Sequence, residues 1–292
     1  MSSTPQDVVM TGPVVVGTDG SGHALRAVRW AAGEAAARGT ALHIVHAVGT
    51  GRGSLYLSEE DRRRIVRFAN SVLDDAAGLV RRLAPAVPVT TTLCENGTTP
   101  CLLGEADPDA TVVVGSRGRG GFAPLLVGSD SLDLVAHASV PVVVVPGEER
   151  ERAGVVLVAA RDERDRDTLR TAARLADRDG AALRVVSVWA FFENVGDVAT
   201  VLEGAARLAE ERALATARLV EAVRAEFPDL SVTERAVRAG SVSEALVRET
   251  ADVDVILMGA RRRSHHIGSP LGHVTHAVLH HTHCPVLLVP HF

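Results

Sequence analysis

Short apolar runs alternate along this chain with longer amphipathic stretches. Pro13–Gly17 is brief and wholly apolar, and it predicts a strand buried on both faces. From about Ala24 to Arg38 the residues Leu25, Val28, Ala31, Ala32 and Ala35 recur at helical spacing, and Gly39 suits the position just past that helix. Ala41–Val48 predicts a second strand. Ser58-Glu59-Glu60-Asp61 resembles a capping box and opens a long helix to Leu83. Its apolar stripe is Ile65, Val66, Ala69, Val72, Leu73, Ala76, Leu79, Val80 and Leu83. Val87–Leu93 and Thr111–Gly115 predict a third and fourth strand around a short helix over Thr98–Ala106. A glycine-rich loop, a helix from Ser129 and a strand over Pro141–Val145 complete the series.

The pattern then runs a second time. Val112-Val113-Val114-Gly115 matches Ile256-Leu257-Met258-Gly259, and Val140-Pro141-Val142-Val143-Val144-Val145-Pro146 matches Cys284-Pro285-Val286-Leu287-Leu288-Val289-Pro290, both at a spacing of 144 positions. Gly39–Val45 matches Gly180–Val186 at 141, so the copies differ by small loop changes. The second long helix falls at about Thr200–Glu226. A polar lead over 1–10 reads as disordered, the first domain covers 11–147, a charged linker 148–152, and the second domain 153–292. Strands that are apolar throughout and bounded by helices imply a parallel sheet covered on both faces. With right-handed crossovers, each half is expected to be an α/β domain, a doubly wound five-stranded parallel sheet. Such sheets bind ligands beyond the carboxyl ends of their strands, at the point where strand order reverses.

Composition narrows the chemistry. The chain has 292 residues, and all 31 of its basic residues are arginine. Without lysine there is no Walker-type lysine on a phosphate and no Schiff-base lysine. Phosphate would have to be held by backbone N–H groups, hydroxyls and arginine. The net charge of −5 offers no basic footprint for nucleic acid, and no apolar run approaches the length of a membrane span. Neither nucleic acid nor membrane is therefore expected as a partner. Cys94, Cys101 and Cys284 form no paired framework, which points to packing cysteines, a reducing compartment and, by default, the cytoplasm.

After the fourth strand comes Gly115-Ser116-Arg117-Gly118-Arg119-Gly120-Gly121, and nine intervening residues separate Gly118 from Gly128-Ser129. The first glycine would let backbone approach a ligand, and the second would allow positive φ. Ser129, at a helix start whose free N–H groups favour an anion, would cap the helix or bond a phosphate oxygen. Arg117 and Arg119 would supply positive charge. The plain alternative is a glycine-rich turn.

The spacing Gly115-x2-Gly118-x9-Gly128-Ser129 resembles the ATP-binding signature of the universal stress protein family. Val16-Gly17-Thr18-Asp19-Gly20-Ser21 is similar to that family's opening, and the strand Val140–Pro146 to its ending. The likeness covers both halves, as in a tandem member. It implies that Asp19, within an opening that includes Thr18, accepts from the nucleoside of an adenine nucleotide. It implies a base pocket lined by Val16, Gly17 and Val114, and a cradle for ribose and phosphates at Gly115, Gly118, Gly128, Ser129 and Ser131. Asp19 also reads as a turn residue ahead of a helix. The family pairs through its final strand, so a tandem chain resembles a dimer made covalent; whether it pairs again as a homodimer stays open.

Asp130 and Asp133 depart from the family pattern. Carboxylates at a helix start compete with a phosphate there. Either Mg²⁺ bridges them to the nucleotide, or triphosphate binding is weakened, or they are a solvated surface pair. In the second half Gly259 and Gly272 remain, but Arg262 replaces the second glycine and His273 the serine. Val158-Ala159-Ala160-Arg161 offers no carboxylate in register, and Asp162 would serve only with a loop shift. The second half is thus expected not to bind ATP in the family manner. In the opposite reading, Arg261, Arg262 and Arg263 grip phosphate directly. His276 and His280, four apart on a helix, could share a metal but lack an acidic companion, and no metal site is expected. Val185–Phe192 gathers three of the few aromatics and reads as core or interface.

These features favour an ATP-binding regulatory protein of stress response, read out through a partner protein or an assembly state. A slow ATPase or nucleotidyl transferase is the rival, although no general base or nucleophile is placed and no catalytic residue is named. The third reading is an interaction module that binds no nucleotide.

Overall fold

The computed structural model describes residues 10–49, 58–118, 127–147, 150–190, 198–261 and 271–291. They form two compact units, one within 9–149 and the other within 150–292. In the first unit the elements are β1 (Val14–Gly17), α1 (Gly22–Arg38), β2 (Leu42–Ala47), α2 (Glu59–Leu83), β3 (Val89–Cys94), α3 (Thr98–Gly104), β4 (Thr111–Gly115), α4 (Ser129–His137) and β5 (Val142–Val145). The strands stand in the order β3-β2-β1-β4-β5 and every pairing is parallel. Val14 pairs with Leu42 on one side and Thr111 on the other, so the chain order reverses between β1 and β4. Strands β1, β4 and β5 are valine-rich and buried along almost their whole length, whereas edge strand β3 carries threonines half or fully exposed. A sheet covered on both faces accounts for the buried valine runs.

Local chemistry sets the helix limits. Ser21 caps α1 by accepting from the Ala24 N–H, and Gly39 ends it in the left-handed region at φ 66°. Ser58 caps α2 by accepting from the Asp61 N–H, as its sequence expects. The small residues Ala24, Ala27, Ala31, Ala32 and Ala35 are buried on α1, which packs with α2 against the sheet. The α2 stripe is narrower than its sequence suggests: Ala69, Val72, Leu73, Ala76, Ala77 and Val80 are buried, but Leu83 is half exposed. Helices α3 and α4 pack on each other and against the strands β1, β2 and β5.

The second unit repeats the plan with β6 (Val155–Ala159), α5 (Arg166–Asp179), β7 (Ala182–Ala190), α6 (Val198–Glu226), β8 (Val232–Ala239), α7 (Val242–Glu249), β9 (Val255–Arg261), α8 (His273–His281) and β10 (Val286–His291). Its parallel order is β10-β9-β6-β7-β8. Among the described residues, no helix is long and apolar enough to cross a membrane. Trp189 lies near the end of β7, half-buried, while Phe191 and Phe192 fall outside the described residues.

Candidate functional site

In the first unit a hollow of about 420 Å³ opens where β1 and β4 part company. That volume lies within the usual range for small-molecule sites. Its wall includes Gly17, Thr18 and Asp19 after β1, Val114 and Gly115 at the end of β4, Arg117 and Gly118 beyond it, and Gly128, Ser129 and Ser131 at the start of α4. Val16 does not reach it. Successive strand residues face opposite ways, and Val16 is fully buried in the core. Val45 and Ala47 of β2 and Thr98 and Leu102 of α3 also line the hollow. No motif marks these four, but the rule that ligands gather at carboxyl strand ends would have pointed to β2.

Asp19 serves a turn and the hollow together. Its Oδ1 accepts from the Ser21 N–H at 2.9 Å, and the Thr18 hydroxyl accepts from the Gly20 N–H at 3.2 Å. Gly20 sits at φ 77°, a conformation side chains disfavour, so the turn needs glycine there. His46, almost wholly buried, donates from Nδ1 to the Thr18 carbonyl and braces the turn from behind. The other Asp19 oxygen, Oδ2, lies 2.8 Å from the point a Cβ on Gly118 would occupy.

The glycines therefore have different reasons from those the sequence suggests. Gly118 is not at positive φ; among the described residues that conformation belongs to Gly20, Gly39, Gly154 and Gly180. Its lack of a side chain leaves room for the Asp19 carboxylate. Gly115 lets β4 approach α1: a Cβ there would stand 2.7 Å from the His23 carbonyl oxygen. Gly128, not Ser129, is the cap residue of α4, and its carbonyl accepts from the Leu132 N–H. Ser129 is the first helical residue and is exposed, so its hydroxyl does not cap the helix. Ser131 is buried and donates its hydroxyl to the Gly115 carbonyl at 2.9 Å, which spends its one O–H on the fold rather than on a ligand. α4 has no side-chain cap, so the first N–H groups of that helix receive no side-chain acceptor at its start, where Gly128, Ser129 and Ser131 line the hollow.

Charge is unevenly spread around this mouth. Arg117 lines it, while Arg119 falls outside the described residues. The His23 imidazole is held below its usual pKa, first by burial, then by Arg26 and Arg117, with Asp19 opposing. Asp130 and Asp133 are both exposed, and both are hydrogen-bonded. Asp130 accepts from the Thr98 hydroxyl at 2.8 Å, and Asp133 from the Thr99 hydroxyl, so the two pairs clasp α3 to α4. Among the described residues, no three His, Cys, Asp or Glu side chains converge to hold a metal ion.

The cysteines depart from expectation. Cys94 at the end of β3 and Cys101 in α3 are joined in a disulfide, with Cα atoms 6.0 Å apart. The turn Glu95-Asn96-Gly97 folds α3 back beside the strand end and brings the two together. The inference from unpaired cysteines to a reducing compartment therefore falls. Cys284 remains a buried thiol, its pKa pushed up to about 12 chiefly by burial.

At the matching place in the second unit the cavity is about 70 Å³. Arg161 stands where the first unit has Asp19, and its backbone N–H and guanidinium both donate to Asp165, whose side chain is 1% exposed. Asp162 does not line the cavity; it caps a short 3-10 turn by accepting from the Arg164 N–H. Gly272 caps α8, and His273 is its exposed first residue. Arg262 and Arg263 fall outside the described residues, as do His265 and His266. The His276 and His280 rings lie 4.4 Å apart, and His280 is held below its usual pKa by burial and by His276 and His281.

A doubly wound sheet whose strand order reverses beside its first strand marks an α/β domain of the class that takes ligands at that point, and the fold is present twice. The model of the universal stress protein family matches residues 10–146 and again 154–290, and the chain belongs to that family in a tandem form. Universal stress protein Rv2005c of Mycobacterium tuberculosis is 30% identical over 293 residues, covering 94% of this chain and 96% of its own. Universal stress protein Rv1996 of the same species is 27% identical, with 94% of each chain covered. The crystal structure of a universal stress protein from Archaeoglobus fulgidus shares the fold, with a TM-score of 0.69 at 18% identity over 97% of this chain and 99% of that one.

Proposed function

We propose that the first unit binds an adenine nucleotide, ATP foremost, and that the chain is a regulatory protein of stress response rather than a catalyst. The observation that carries this is the hollow at the reversal point, whose wall combines apolar side chains with a carboxylate, a guanidinium and a helix start. Val45, Ala47, Leu102 and Val114 give an apolar lining for a planar base, with a carboxylate at Asp19 that accepts from base or ribose donors. The start of α4 and Arg117 give backbone N–H groups and a guanidinium for phosphate. This arrangement supplies what the absence of lysine would otherwise remove. Asp130, already accepting from Thr98, sits in the first turn of α4, where Mg²⁺ would relieve its repulsion of phosphate. In this reading a signal passes through occupancy, read by a partner protein or an assembly state.

Calorimetric titration of the full chain with ATP and Mg²⁺ tests the reading. Saturation at one nucleotide per chain is the expected result. Two per chain would refute the asymmetry between units, and none would refute nucleotide binding.

A further inference from the structure

We propose that Cys94 and Cys101 form a reversible thiol–disulfide site whose reaction partner is a dithiol, and that the oxidised bridge holds the hollow of the first unit in its binding shape. The coupling to affinity rests on the nucleotide reading above; the redox chemistry and its effect on α3 do not.

The bridge joins two walls of the hollow. Cys94 pairs with Ala47 in the sheet, and its carbonyl accepts from the Val48 N–H at 2.8 Å. Ala47 lines the hollow, so Cys94 is fixed to the β2 wall. Cys101 lies in α3 between Thr98, which lines the hollow and donates to Asp130 at the start of α4, and Leu102, which lines it and packs against Gly17. The α3 wall is only seven residues long, and its cap residue Gly97 offers no side-chain hydrogen bond. So short a helix has little stability of its own. Its place depends on the bridge at one point, the Thr98 and Thr99 hydroxyls at another, and the buried Leu102.

Exposure gives the chemistry a direction. Cys94 is half-buried next to the exposed turn Glu95-Asn96-Gly97, whereas Cys101 is 3% exposed. An incoming thiolate therefore attacks the Cys94 sulfur. The S–S bond breaks, Cys101 leaves as thiolate and takes up a proton, and a mixed disulfide forms at Cys94. The donor's second thiol then attacks that mixed disulfide and releases the Cys94 thiol. Two electrons and two protons pass from the dithiol, which becomes a disulfide, to the protein pair; an oxidant of the dithiol-disulfide class or an azo oxidant reverses the change. After reduction α3 loses its covalent tie to β3 and keeps its hydroxyl clasps and its packing through Leu102. If about one-tenth of molecules then keep the binding shape, apparent affinity falls about tenfold.

Dithiothreitol, the azo oxidant diamide and ATP are the probes, used on the full chain. After diamide, denatured protein should show one free thiol, from Cys284; after dithiothreitol it should show three. Reduction should speed amide exchange over Thr98–Gly104 without ligand and weaken ATP binding about tenfold. Cys94→Ser, at the half-buried position, should bind as the reduced protein does and ignore reductant. Three free thiols after diamide would overturn the proposal, as would unchanged exchange over α3 after complete reduction. Equal ATP affinity in both redox states would overturn the coupling and leave the nucleotide reading intact. If ATP binds in neither state, the nucleotide reading fails, and the exchange result alone decides whether the bridge fastens α3.

Discussion

Two strand ends in the same topological place carry opposite charges. In the first unit the turn after β1 presents Asp19 to a hollow of about 420 Å³; in the second, Arg161 follows β6 and the cavity is about 70 Å³. Arg161 already has its anion in Asp165, buried beneath it. One copy sets a carboxylate in the wall of a hollow, and the other closes the equivalent place with an ion pair. The contrast teaches that the repeat preserves the sheet while the loops after its strands decide whether there is room for a guest. Function in such folds resides in the site rather than in the fold.

The contrast can be broken from either side. Gly118→Arg writes the second unit's residue type into the first. Any Cβ there would press on the Asp19 carboxylate, and the long side chain would enter the hollow. ATP affinity is expected to drop at least about a hundredfold, roughly 2.7 kcal/mol. Unchanged affinity by calorimetry would refute the site. From the other side, Asp165→Ala removes the second unit's internal anion. Arg161 is 44% exposed and can turn to water, so the loss should be smaller than for a fully buried pair, about 2 kcal/mol in urea unfolding. A cost near zero would mean that Asp165 does not order the turn.

The smallest expected effect concerns two histidines. Burial lowers the pKa of both His23 and His280. The native state therefore resists their protonation, while the unfolded chain takes the proton near the ordinary value of about 6.5. Stability should decline as pH falls through that value and level off below the depressed native pKa. Arg117 adds to the shift of His23, so phosphate bound beside Arg117 should move the His23 titration upward and leave His280 where it was. Proton NMR titration of the imidazoles with and without ATP checks this.

Much of the architecture could be read from residue patterns because those patterns are local. Gly39 past α1, the Ser58 box before α2 and the valine runs of β1, β4 and β5 each answer to their own neighbourhood. The site was legible in outline but not in the reasons for its residues. Gly115 is glycine because α1 passes close by, and Ser131 spends its hydroxyl on Gly115; both facts depend on segments far along the chain. The Cys94–Cys101 bridge and the Thr98–Asp130 clasp were hidden for the same cause, since both depend on where α3 folds back. Val16 was misplaced because strand alternation sets its side chain in the core.

The ion pair between Arg161 and Asp165 has a consequence for how the molecule melts. A ligand that binds only the folded form raises stability by an amount set by its concentration, about 2.7 kcal/mol at a hundred times Kd. The second unit carries its counter-ion within its own chain, and in the proposed reading it takes no nucleotide, so its melting temperature should not follow ligand supply. In a calorimeter the first unit would then act as a gauge of nucleotide, its transition climbing with concentration, and the second as a fixed mark against which that climb is read.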